Sequence, residues 1–116
     1  MITKAIGKYV NSSPQKARLV ADLIRGKSAG DALNLLRFNH KRAAADMLKI
    51  LRSAIANAES NPENPVDVEE LYVSTVTVDG ASNRFRRRIR PAPMGRAFRY
   101  VRRQSHITIG LDVRKA

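Results

Sequence analysis

The chain has 116 residues, no cysteine, and 22 lysines and arginines against 10 acidic residues, a formal charge of +12. This length bounds it to a single domain over 1–116. The lack of cysteine excludes disulfides and thiolate metal sites and fits a reducing, cytoplasmic setting, and no apolar run approaches the ~20 residues that span a membrane.

In chain order, residues 2–10 predict a short strand with Ile2, Ile6 and Val10 on one parity and Lys4 and Lys8 interrupting it. Ser13 is placed to cap a helix with Pro14 at its first position, where the missing N–H costs nothing. Ala17, Val20, Leu23 and Ile24 would be its buried face, with Lys16, Arg18 and Arg25 mostly off it, and Gly26 would end it in left-handed backbone. Ser28 opens a second, short helix with Asp31 in the acidic place of a capping box. Leu33, Leu36 and Phe38 are its expected stripe, and Asn39 is expected to end it and cap the next. Residues 40–60 carry the clearest helical period: Ala44, Met47, Leu48, Leu51, Ile55 and Ala58. The small Ala54, Ala56 and Ala58 would let a sheet lie close. Lys41, Arg42, Lys49 and Arg52 fall mainly on the outer side, either as a solvated face or as a second RNA-facing patch.

Asn61–Pro65 is a firm break. Residues 66–79 and 106–113 then read as strands rich in Val, Ile and Thr. The second alternates cleanly through Ile107, Ile109, Leu111 and Val113. The first is ambiguous, because Tyr72, Val76 and Val78 oppose Leu71 and Val73 in parity. A turn centred on Ala92 and Pro93 would settle it by pairing Val78 with Ile107, Val76 with Ile109 and Tyr72 with Val113, so that apolar meets apolar on one face. The fold class is therefore α+β, three helices on a three-stranded antiparallel sheet, with a long basic β-hairpin over 80–105.

That hairpin holds the charge. Between Arg84 and Gln104 stand nine arginines (84, 86, 87, 88, 90, 96, 99, 102 and 103), with no lysine and no acid. Removing this stretch leaves 13 basic against 10 acidic residues, a charge of +3. Arginine binds phosphate through two parallel hydrogen bonds and stacks on bases, which a lysine ammonium does not. Phe85, Phe98 and Tyr100 lie among them, and Pro91, Pro93 and Gly95 mark the turn. The expected register sets Phe85 beside Tyr100 and gathers Arg84, Arg86, Arg88, Arg90, Arg99 and Arg103 on the opposite arm face. The pattern is that of an arm entering folded nucleic acid.

Catalytic chemistry is missing. His40 and His106 stand in no ligand-spaced cluster, although the expected register sets His106 opposite Asp79. Ser12 and Ser13 are better explained as a helix cap than as a nucleophile, and Glu69 and Glu70 have no companion acid at an informative spacing. No glycine-rich phosphate loop occurs. The sequence predicts no enzyme, no cofactor and no metal. A histone-like DNA-bending protein also has helices and basic β-arms with a proline near the tip, but it needs a dimer whose arms embrace the duplex. A membrane-active cationic chain would need a broad apolar face that this arm lacks.

Three segments, SPQKARLVADLIRG at 13–26, SAIANAESN at 53–61 and MGRAFRYVRRQSHITIGL at 94–111, resemble the large-subunit ribosomal protein number twenty-two of bacteria, and the likeness runs along essentially the whole chain. The resemblance implies a three-helix, three-strand body on the subunit surface and a hairpin running inward through ribosomal RNA to the wall of the nascent-peptide exit tunnel. It implies binding early in subunit assembly and partnership with other large-subunit proteins, including ribosomal protein number four at the tunnel wall. On this reading the RNA-binding residues are Arg84, Arg86, Arg87, Arg88, Arg90, Arg96, Arg99, Arg102 and Arg103, with Lys16 and Arg18 on the first helix. The tunnel-facing tip is Arg90, Pro91, Ala92, Pro93, Met94 and Gly95, past which the nascent peptide would move. The family usually carries a basic residue and then a small one where Ala92 and Pro93 stand here, which stiffens the tip and removes a charge; Arg90 is the neighbouring candidate to replace it.

Overall fold

Strand β1, Thr3–Val10, leads into three helices: α1 (Pro14–Ile24), α2 (Ala29–Phe38) and α3 (Arg42–Glu59). A single 3-10 turn, Val68–Glu70, then opens β2 (Leu71–Gly80). The hairpin strands β3 (Arg87–Pro91) and β4 (Ala97–Val101) follow, and β5 (Ser105–Val113) closes the chain. The computed structural model describes residues 3–62, 65–81, 87–91, 93–95, 97–101 and 103–113, and for 87–91, 93 and 97–101 the backbone path alone. The architecture is α+β. A three-stranded antiparallel sheet of order β1-β5-β2 carries the helices, and β3 and β4 form a separate two-stranded ribbon.

The N-caps of α1 and α2 are those the sequence predicts. Ser13 Oγ accepts from the Lys16 N–H at 3.4 Å, and Ser28 Oγ from the Asp31 N–H at 3.3 Å. Gly26 follows α1 with φ +81, left-handed backbone that costs glycine nothing. Asn39 ends α2, and its Oδ1 accepts from the Lys41 N–H at 2.9 Å, but Lys41 is itself the N-cap of α3. The core is built from α1 (Ala17, Val20, Ala21, Ile24), α2 (Ala29, Ala32, Leu36) and α3 (Ala44, Met47, Leu51, Ala54, Ile55, Ala58), all buried. Beneath them lie Val73, Ile107, Ile109 and Leu111 of the sheet, each fully buried. Two expected core residues lie outside. Leu23 is exposed beside the Ala17–Val20–Ala21–Ile24 stripe, and Phe38 is 75% exposed. Phe38 stands two residues, about 200° of helix, from Leu36 and so cannot share its stripe. Ala56, expected against the sheet, is likewise exposed, and Ala54 and Ala58 supply the close approach.

Two bulges decide which strand residues face in. β2 pairs with β5 as expected from Val78↔Ile107 to Thr75↔Gly110, but the register then slips by one, giving Val73↔Leu111, Tyr72↔Asp112 and Leu71↔Val113. Ser74 is the extra residue, and its hydroxyl donates to the Gly110 carbonyl at 3.2 Å. The slip turns both conflicting sets inward, so Leu71, Val73, Val76 and Val78 are all buried. The expected Tyr72–Val113 pair is thereby replaced. The strand also starts later than residue 66, because Asp67–Glu70 closes a turn through Glu70 N–H and the Asp67 carbonyl. On β1 the inward parity is Ala5 and Gly7, and Ile6 is 49% exposed. Gly7 lies so close to α3 that a Cβ there would meet Ile50 Cδ1 and stand 2.9 Å from Ile50 Cγ1. A larger residue at that position would force the Ile50 side chain to move.

Candidate nucleic-acid interface

The ribbon β3–β4 pairs Arg87 with Val101, Arg88 with Tyr100, Ile89 with Arg99, Arg90 with Phe98 and Pro91 with Ala97. This corrects the expected register by three residues. The body fixes one register, ending at Gly80↔Ser105, and the tip fixes another. The difference falls on the leading strand, where six residues separate Gly80 from Arg87 but three separate Val101 from Ser105. Tyr100 is therefore opposite Arg88, not Phe85, and Arg99 falls out of phase with Arg88 and Arg90. The turn centres on Met94. Pro93–Gly95 forms a tight turn in which Met94 (φ 63) and Gly95 (φ 73) are both left-handed. Met94, a non-glycine residue with positive φ, is 96% exposed. Pro91 is the last ladder residue of β3, a place open to a residue with no N–H.

Of the arginines expected to bind, Arg87, Arg88 and Arg90 lie on β3, Arg99 on β4, and Arg103 is exposed in the link to β5. Arg84, Arg86, Arg96 and Arg102, with Phe85 and Ala92, lie outside the described residues. Lys16 is exposed on α1. Arg18 is engaged by the body: its Nε and Nη2 donate to the Val78 carbonyl at 3.3 and 3.0 Å. Arg25 does the same two turns on, donating from Nη2 to the Val76 carbonyl at 2.7 Å and from Nη1 to Asp22 at 2.6 Å. β2 is an edge strand, and these two guanidinium groups cover its open carbonyls. Gly26 N–H to Val73 O (2.9 Å) and Val73 N–H to Lys27 O (2.8 Å) finish the edge. Sequence reasoning placed Arg25 off the buried face without this role, since nothing local marks which carbonyl an arginine will reach.

A polar knot holds the point where the arm leaves the sheet. Gln104 Nε2 donates to Asn11 Oδ1 at 2.7 Å and to the Tyr9 carbonyl at 3.3 Å. Ser105, fully buried, donates from Oγ to the Ser12 carbonyl at 2.6 Å. His106 Nδ1 accepts from the Tyr9 N–H at 3.2 Å, and the two rings meet edge to face with centroids 4.8 Å apart. His106 is opposite Asp79 in the ladder as expected, yet its hydrogen bond goes to Tyr9. Tyr9 has φ 55 and sits in a second bulge, between Gly7↔Ile107 and Val10↔Ser105. Its left-handed backbone bends the loop 9–12 over the root of the arm.

Nothing in this geometry resembles a reaction centre. Among the described residues no group of His, Cys, Asp or Glu could hold a metal, and no helix is long and apolar enough to cross a membrane. The sequence matches the family model of ribosomal protein L22p/L17e over residues 5–112. The chain belongs to the ribosomal protein L22p/L17e family. It is 51% identical over 116 residues, the whole of both chains, to the large ribosomal subunit protein uL22 of Solibacter usitatus. It is 46% identical to that of Desulfotalea psychrophila over 97% of this chain and 98% of the relative. The likeness to that of Porphyromonas gingivalis is 48% over 90% of this chain and 77% of the relative. L22p/L17e proteins are structural components of the ribosome and not enzymes.

Proposed function

We propose that this protein, a structural constituent of the large subunit of the cytoplasmic ribosome, is held there by large-subunit ribosomal RNA and lines the nascent-peptide exit tunnel with its hairpin tip. The observation that carries this reading is the ribbon β3–β4, a basic two-stranded element that, among the described residues, lies outside the body sheet. A two-stranded ribbon is marginal alone in water, and one with four arginines on its described strands asks for an anionic surround. Arg84, Arg86, Arg87, Arg88, Arg90, Arg96, Arg99, Arg102 and Arg103 would supply the phosphate contacts that fix position. Lys16 would add to them, as would the N–H groups of Arg18 that Val78 does not use, since a guanidinium has five.

The arm acts as part of one domain, 1–116, with 80–105 as its extension. The protein measures 66 × 27 × 17 Å, and its radius of gyration is 17.3 Å, against about 13 Å for a compact chain of this length. Such a shape suits an element that starts in a surface body and ends deep in RNA. Subunit assembly would use the body and arm base first. At the tip, Arg90 to Gly95 would meet ribosomal protein number four across the tunnel and the moving peptide between them. The test of attachment is sedimentation. The tagged full chain should stay with the large subunit through a high-salt wash, and its release into the free-protein fraction under that wash would contradict the reading.

A further inference from the structure

We infer that the RNA-facing surface continues from the arm along the outer face of α3, from Lys41 and Arg42 to Arg52, where it binds the phosphate backbone of large-subunit RNA. The opposite end of the body, around Glu59, Glu69 and Glu70, stays out of the RNA. This rests on the RNA-binding reading above.

The direction of α3 carries the argument. Thr3 Oγ1 donates to the Ala54 carbonyl at 3.3 Å, Asn57 Nδ2 to the Lys4 carbonyl at 3.4 Å, and Gly7 packs on Ile50. So α3 runs antiparallel to β1. Val10, at the far end of β1, pairs with Ser105 at the root of the arm, about 10 Å beyond Gly7. Arg42 precedes Ile50 by eight residues, about 12 Å of helix in the same direction. The basic start of α3 therefore stands level with the arm's root. Its end, Glu59, lies at the other end of the sheet, where Glu69 and Glu70 lead into β2.

Charge follows that axis. Residues 59–70 hold five acids and no base, while Asp46 is the one acid in 40–58. Lys41, Arg42, Lys49 and Arg52 are all exposed. Unlike Arg18 and Arg25, whose charge the β2 carbonyls occupy, none of the four has a hydrogen bond or ion pair from its side chain among the described residues. The arrangement does not serve the helix. Bases at the start and an acid at the end run against the helix dipole, which favours the reverse. Ala45, Ser53 and Ala56 between the bases are small and exposed, so a sugar–phosphate strand can lie close. Cations without a partner among the described residues, starting level with the arm's root where the helix field disfavours them, fit a polyanion.

The test compares full-length variants binding a large-subunit ribosomal RNA transcript across a salt series. With ~0.7–0.9 of slope per phosphate, Arg42→Gln/Lys49→Gln/Arg52→Gln should flatten the log–log slope by about 2. Glutamine is a good helix former and keeps an apolar stem, so thermal melts should not fall. The charge-conserving Arg42→Lys/Arg52→Lys variant should keep the wild-type slope, and so should Glu59→Gln/Glu69→Gln/Glu70→Gln. If the α3 variant binds with the wild-type slope while Arg87→Gln/Arg88→Gln/Arg90→Gln flattens it, the outer face of α3 is merely solvated and the inference falls alone. If neither variant changes the slope, the RNA-binding reading falls with it.

Discussion

At Ser105 one hydroxyl ties the arm's returning strand to the loop before α1. The residue is fully buried, and its bond to the Ser12 carbonyl spans 93 positions of sequence. Ser105→Ala should cost about 1–2 kcal/mol, because it removes a buried hydrogen bond and leaves a carbonyl unpaired. The urea midpoint of the free protein measures it, and a midpoint equal to wild type would show that water replaces the bond without loss. Part of this knot is visible in the sequence and part is not. Ser13 and Ser28 announce themselves as caps because the helix that follows is written beside them. Ser105, Gln104 and His106 find their partners some 90 residues away, and a partner at that distance is set by the sheet, not by neighbouring letters. The left-handed Tyr9 and Met94 are equally silent, since neither residue type favours that backbone.

At the scale of elements, β2 shows what periodicity can settle and where it stops. The sequence predicted the pairing of Val78 with Ile107 and of Val76 with Ile109, and the ladder contains both. It could not choose between Leu71–Val73 and Val76–Val78, because one-residue alternation has no symbol for a bulge. The structure keeps both sets by spending Ser74. The arm fails differently. Its expected register rested on a turn centred on Ala92 and Pro93, and the turn's actual centre at Met94 shifts every pair by three residues. The outer edge of β2 yields a second prediction. Arg18→Ala/Arg25→Ala would strip the carbonyls of Val78 and Val76 of their donors. Hydrogen bonds from charged donors contribute roughly 1.5–3 kcal/mol each when buried, and exposure reduces this here to about 1 kcal/mol each. The double variant should unfold at lower urea and self-associate through the bared edge. A monomer of wild-type stability by sedimentation velocity and urea titration would mean that the two side chains only rest on the strand.

At the scale of the whole molecule, charge, shape and fold run along one axis. The arginine ribbon lies at one end, the basic start of α3 stands level with its root, and Glu59, Glu69 and Glu70 stand at the other end. Fold class was legible because it rests on features of many residues: three helical periods, one cleanly alternating strand and a second that pairs with it. The distribution of charge over the body was not, because the sequence places Arg18, Arg25, Arg42 and Arg52 alike on helix exteriors, and only the packing separates those engaged by β2 from those left free. The central claim is that the body and arm root hold the protein in RNA while the tip faces the tunnel. A photoreactive residue in place of Met94, which is almost wholly exposed at the turn, tests it directly in ribosomes carrying a stalled, labelled nascent chain. The same residue in place of Phe38, on the body, is the control. Position 94 should crosslink to the nascent chain and position 38 should not. Ribosomes fully loaded with the variant whose position 94 crosslinks to RNA alone, with no nascent chain captured, would contradict the account.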